Sequence, residues 1–159
     1  MPQRKLAVLA KAFDRPSETF IRRHAFELHP GRTVLAARDQ PKPNSPPDMP
    51  ALWGYRKKMN QRRRFLGSLA PHPLPRFLKS QDVDTVLIEY ASVGAQVLPL
   101  LSNLNCRIFV HFHGAPYLSR ASAEKAHDLA EILDNHQMGS RLYLIPFGTL
   151  QKDLVLAAP

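Results

Sequence analysis

The apolar run Arg107–Leu118, RIFVHFHGAPYL, carries His111, Phe112, His113 and Gly114 at its centre. On an extended strand, two imidazoles two residues apart share one side and Phe112 takes the other. Such a pair could ligate a metal, move a proton near neutral pH, or hold a hydroxyl or phosphate. A metal needs more ligands than His-x-His provides, and no cysteine or carboxylate lies within a few residues, so no metal is expected. His111 fits a packed, hydrogen-bonded imidazole. His113 is the better cleft residue, because Gly114 behind it allows close approach of a ligand to the backbone.

Alternating strands and helices must position these side chains. Lys5–Ala10 reads as a strand buried on both faces. Pro16 and Ser17 open a helix, with Ser17 as cap and Glu18 complementing the helix dipole. Phe20, Ile21, His24, Ala25 and Leu28 form its apolar stripe, and Pro30-Gly31 ends it. Thr33–Ala37 is a second strand, followed by a proline-rich loop over residues 39–50. A basic helix begins near Tyr55, and a second proline cluster, PHPLPRF, follows it. Asp84–Tyr90 and the run starting at Arg107 are further strands, separated by a helix near Val93–Leu101 that contains Pro99. Ser122–Met138 reads as a helix and Leu142–Gly148 as a last strand. The alternation predicts an α/β fold: a Rossmann-like, mostly parallel sheet with helices on both faces, one domain over residues 1–159. Ligands of such sheets lie beyond the carboxyl ends of the strands, and the free amides after Pro16 would offer an anion site there.

Charge is divided unevenly along the 159 residues. Residues 1–80 hold 17 Lys and Arg against 5 Asp and Glu, whereas residues 81–159 hold 5 against 8. Arg56, Lys57, Lys58, Arg62, Arg63 and Arg64 concentrate this excess. They read as a solvated helix face, or as a patch for phosphate or an anionic membrane surface. Without a recognisable reading module or interleaved aromatics, nucleic acid is not expected as a partner. The single Cys106 excludes an internal disulfide framework and suits a reducing compartment. No apolar run approaches the ~20 residues that span a bilayer, so a cytoplasmic location is expected. The chain has no G-x-G-x-x-G, no P-loop and no G-x-S-x-G elbow, which argues against classical dinucleotide, P-loop and hydrolase sites.

Four segments in order, Arg15–Leu28, Asp84–Leu101, Arg107–Pro116 and Leu142–Thr149, carry a family likeness. They resemble the N-terminal domain of GT-B fold glycosyltransferases, of the group-4-like kind that builds colanic-acid-type polysaccharides. The resemblance implies transfer of a sugar from a nucleotide-sugar donor to a saccharide or lipid-linked acceptor. It implies His113 as the catalytic cleft residue, with Ser17, Glu18, Thr19, Gly94 and Gly114 lining the substrate side. No cofactor is implied, since the nucleotide-sugar is a substrate. Two departures accompany the likeness: Pro116 stands where the family has an aspartate, and the stretch between His113 and the LIPFG segment is much shorter than the family's. In addition, Glu124 and Glu131 do not form the donor-site E-x7-E pair. The donor-binding C-terminal domain is therefore expected to be absent, leaving the isolated chain inactive and dependent on a second domain for its donor. A location at the inner face of the membrane would suit a lipid-linked acceptor. The alternative expectation is a non-catalytic basic module that docks on anionic membrane or a partner chain.

Overall fold

The computed structural model describes residues 5–13, 15–16, 19–67, 70–111 and 141–145. Six strands, β1 (Leu6–Ala10), β2 (Thr33–Ala37), β3 (Ala51–Trp53), β4 (Thr85–Glu89), β5 (Arg107–His111) and β6 (Leu142–Ile145), form one sheet. Their order is β3-β2-β1-β4-β5-β6, and every pairing is parallel. This is the expected Rossmann-like α/β architecture.

Burial on both faces explains why the strands read as continuous apolar runs rather than alternating ones. Ala7, Leu9, Val34, Ala36, Val86, Ile88, Ile108 and Val110 face one layer, with Tyr55, Leu74, Leu78, Val97, Leu98 and Leu101 packed over them. Those covering residues come from α2 (Tyr55–Leu66), α3 (Pro73–Ser80) and α4 (Ala91–Leu101). The alternate strand residues, Leu6, Val8, Ala10, Leu35, Ala37, Leu87 and Phe109, face the other layer, against Phe13, Ile21, Ala25, Leu28 and Trp53. Each large aliphatic side chain buried this way contributes ~1.5–3 kcal/mol.

Several elements differ from expectation. The first helix, α1, runs from Thr19 to Arg23 and then widens into a π-helical turn, His24–Leu28. The short strand β3, which lacks any alternation, forms where the proline-rich loop returns alongside β2. The cluster PHPLPRF starts a helix, α3. His72 caps it by accepting the Leu74 N–H on Nδ1 at 3.1 Å, and Pro73 occupies the first turn, where its missing N–H costs nothing. Gly54 adopts a left-handed conformation (φ 58°) to turn β3 into α2, and a Cβ there would lie 3.4 Å from the Gln40 carbonyl oxygen. The expected helix over Ser122–Met138 lies outside the described residues.

Candidate functional site

After β3 the chain crosses to the far side of β1, so the switch point of the sheet lies between β1 and β4. Doubly wound sheets take their ligands at the carboxyl edge of that point. Glu89 is the last residue of β4 and His111 the last of β5, and the two are register partners. Strand periodicity places both on the Leu87 and Phe109 face, the one that α1 covers. His24, the first residue of the π-helical turn, reaches the same spot from above.

The Glu89 carboxylate bridges the two imidazoles. His24 Nδ1 lies 2.5 Å from Oε1 and His111 Nδ1 lies 3.2 Å from Oε2. Their side chains are almost out of water, at 0% exposure for Glu89, 5% for His111 and 15% for His24. With the carboxylate ionised, and so only an acceptor, each of these contacts requires its proton on Nδ1. The imidazole rings stand 5.4 Å apart, and Phe20 packs 5.9 Å from His24 and edge-on to Tyr90. Tyr90, directly after Glu89, is held at φ 78°, a conformation that costs a non-glycine residue ~1–3 kcal/mol. Its N–H donates to the His111 carbonyl at 3.0 Å, and its own carbonyl accepts the N–H groups of Val93 and Gly94 at the start of α4. The ends of β4 and β5 are thereby locked around the carboxylate.

A second charged region lies on the opposite face of the sheet. Arg56, Lys57, Lys58, Arg63 and Arg64 are exposed on α2, while Arg62 is half-buried and donates to the Pro71 carbonyl. Tyr55 and Met59 anchor the buried side of this helix. Between α2, α3 and α4 opens a cavity of about 220 Å³, lined by Arg38, Tyr55, Arg56, Arg63, His72 and Gln96 among others. Arg38 is buried and clamped, with Nη1 on Gln96 Oε1 at 2.5 Å and Nη2 on Asp39 Oδ2 at 2.8 Å. Burial acts to raise the Asp39 carboxyl, but the hydrogen bond and charge of Arg38, with Arg56 behind it, hold it below its ordinary range. Burial and the nearby Arg63 and Arg62 charges push the His72 imidazole down. The Tyr55 hydroxyl is buried without a hydrogen-bond partner among the described residues, and burial pushes its ionisation up.

Of the expected site residues, Thr19 is exposed at the start of α1 and Gly94 is buried in α4. These two helices cover opposite faces of the sheet. His113, Gly114, Ser17, Glu18 and Pro116 lie outside the described residues. His24 and Glu89 escaped notice as partners of His111. His24 read as part of an apolar stripe, and Glu89 is 22 residues from His111 in the chain. The available signal was a carboxylate directly after the apolar run Val86–Ile88.

Over 52 residues, 33% of its length, the chain is 48% identical to a probable tRNA sulfurtransferase of Thermus thermophilus, matching 13% of that protein. Over 68 residues, 43% of its length, it is 43% identical to a probable tRNA sulfurtransferase of Nocardia farcinica, matching 16% of that one. The chain thus spans less than a fifth of the length of these curated relatives. No protein-family model matches it, and no solved structure matches significantly.

These similarities overturn the glycosyltransferase resemblance. The relatives are named for a different class of transferase, one acting on tRNA, so sugar transfer, the nucleotide-sugar donor, the saccharide or lipid-linked acceptor and polysaccharide assembly fall away. The expectation that nucleic acid is not a partner falls with them. Docking on membrane or a partner chain gains no support from the relatives either. The physical reason is that strand–glycine–helix junctions and histidines at strand ends belong to the ligand edge of doubly wound sheets in general. They report the fold and leave its chemistry open. Among the described residues, no helix is long and apolar enough to cross a membrane.

Proposed function

We propose that this chain is an RNA-binding segment of a tRNA-modifying enzyme, and that α2 with its adjoining cavity holds the tRNA backbone. The observation that carries this reading is the helix itself: six cations in twelve residues, with no carboxylate among them. At helical spacing they fall into three ridges, Arg56 with Arg63, Lys57 with Arg64, and Lys58 with Arg62. A row of cations around the solvent side of one helix neutralises phosphates regardless of base sequence. Arg56 and Arg63 also border the cavity with Arg38, of which Arg38 and Arg56 share the Asp39 carboxylate, so the lining is cationic and a phosphate group fits its charge. Phe65, 88% exposed beside Arg64, presents an aromatic face on which an unpaired base can stack. The similarity to tRNA sulfurtransferases supplies the class of RNA, and a cytoplasmic setting goes with it.

The role assigned here is binding, not sulfur transfer by this segment. Cysteine attacks or carries sulfur as the thiolate. Cys106, the one cysteine of this chain, is buried in the core, and burial pushes its thiol up to about 11.

The test is a filter-binding titration of unmodified tRNA at several salt concentrations. The expected result is binding that weakens linearly in log salt, and a loss of affinity in an Arg56/Arg63/Arg64→Glu variant that keeps its circular dichroism. Absence of tRNA binding at low salt, or an unchanged affinity in that variant, overturns the proposal.

A further inference from the structure

We propose that His24, Glu89 and His111 form a binding site for one divalent transition-metal ion of the zinc type. This inference is independent of the RNA-binding reading, and its test uses no RNA.

One ligand atom from each residue lies within 4.8 Å of the other two, on side chains that come from three different elements. Two imidazoles and one carboxylate are a donor set suited to zinc and its neighbours, and unsuited to calcium or magnesium, which take oxygen. Three protein ligands leave a coordination position open, the arrangement of a reactive rather than a purely structural site. That position lies at the carboxyl edge of the sheet beside the switch point, where this fold takes its ligands.

A buried hydrogen-bonded ion pair needs no metal, and three features go beyond that simpler reading. The carboxylate is fully buried, and each of its two oxygens faces the Nδ1 of a different imidazole. Such a buried pair is weak in stabilising a fold, since apolar side chains of the same shape would serve as well. The chain also holds two uncommon backbone features here and directs both at this cluster. The π-helical turn begins at His24, and such turns concentrate at functional sites. The positive φ of Tyr90 fixes the end of β4 at Glu89. Metal binding would replace the two Nδ1–H···O contacts by bonds from nitrogen and oxygen to the ion. Each neutral imidazole would then carry its proton on Nε2, and any imidazolium would release one proton to solvent.

The experiment uses the full chain, free of any affinity tag, with Zn²⁺ in isothermal titration and Co²⁺ as the spectroscopic probe. The expected result is one equivalent bound, with the visible absorption of Co²⁺ in a site of low coordination number. Glu89→Gln removes the charged ligand but also disturbs a buried pair, so His24→Gln is the second variant, since His24 is the least buried of the three. Folding of each is checked by circular dichroism. His24→Gln is expected to stay folded and to weaken Zn²⁺ at least ~10-fold, the loss that even outer-sphere changes cause. A folded wild-type chain that binds no Zn²⁺ or Co²⁺ overturns the proposal. So does an affinity unchanged in both folded variants, which would place the ion on another histidine of the chain.

Discussion

The outer side of α2 holds its six cations largely in water, whereas Glu89 and its two imidazoles sit almost wholly in the interior across the sheet. The same Coulomb law acts in both regions. Two unit charges 4 Å apart interact by ~1 kcal/mol in bulk water and ~4 kcal/mol at the effective dielectric of a protein. On α2 each charge is therefore replaceable singly, adds little to stability, and contributes through its reach toward an anionic partner. Around Glu89 the charges are few, fixed by the backbone on which they stand, and costly to leave unpaired. The difference separates a surface that attracts from a site that selects.

The largest expected effect is on the buried side. Glu89→Ala leaves two imidazoles facing apolar neighbours and is expected to lower the unfolding free energy by ~3–5 kcal/mol, the usual cost of breaking a buried pair. Urea denaturation reads this directly, and a loss under ~1 kcal/mol would mean that the cluster is as well solvated as α2, ending the contrast.

Charge reversal on α2 comes next and acts on binding. Arg56/Arg63/Arg64→Glu is expected to change stability by no more than ~1.5 kcal/mol, about 0.5 for each exposed position. The slope of log affinity for tRNA against log salt should become shallower by ~3, one for each phosphate contact removed. Destabilisation comparable to that of Glu89→Ala would show that α2 is held by its charges and not by Tyr55 and Met59.

The smallest effect lies where the two kinds of environment meet, at His72. It caps α3 with an unprotonated Nδ1, and burial together with Arg63 and Arg62 disfavours its protonation. Its folded value is depressed, so the unfolded chain takes up the proton first. Stability is then complete above the ordinary 6.5 and declines as pH falls below it toward the folded value. His72→Asn keeps a capping acceptor without titrating. The difference in urea midpoint between the two proteins should therefore move in favour of the Asn variant as pH falls from 7.5 to 5.5, an interval chosen as about one unit either side of a free histidine. A difference independent of pH would remove the cap from this account.

Much of the frame was legible in the chain. Short, almost wholly apolar runs such as Thr33–Ala37 return as strands because a parallel sheet covered on both faces disfavours polar alternation. The basic helix, and its position after the proline-rich loop, were equally plain. Other elements were not. β3 has no local signal, because a three-residue strand exists only through its partner β2. α3 hides in a proline cluster, because proline forbids a helix interior but suits a first turn, and only the capping geometry tells the two apart.

Composition and periodicity are local properties, so they settled the fold class, the two-faced core and the cationic helix from the sequence alone. The site depended on distance. His24 and Glu89 stand 65 positions apart in the chain. They meet because β4 lies next to β1, because strand periodicity turns Glu89 and His111 to the same face, and because α1 packs its π-helical turn over that face. Each of those is a choice between two sides or two neighbours that local propensity leaves open. Burial of the whole sheet resolves them together, and only tertiary structure could give His111 its partners.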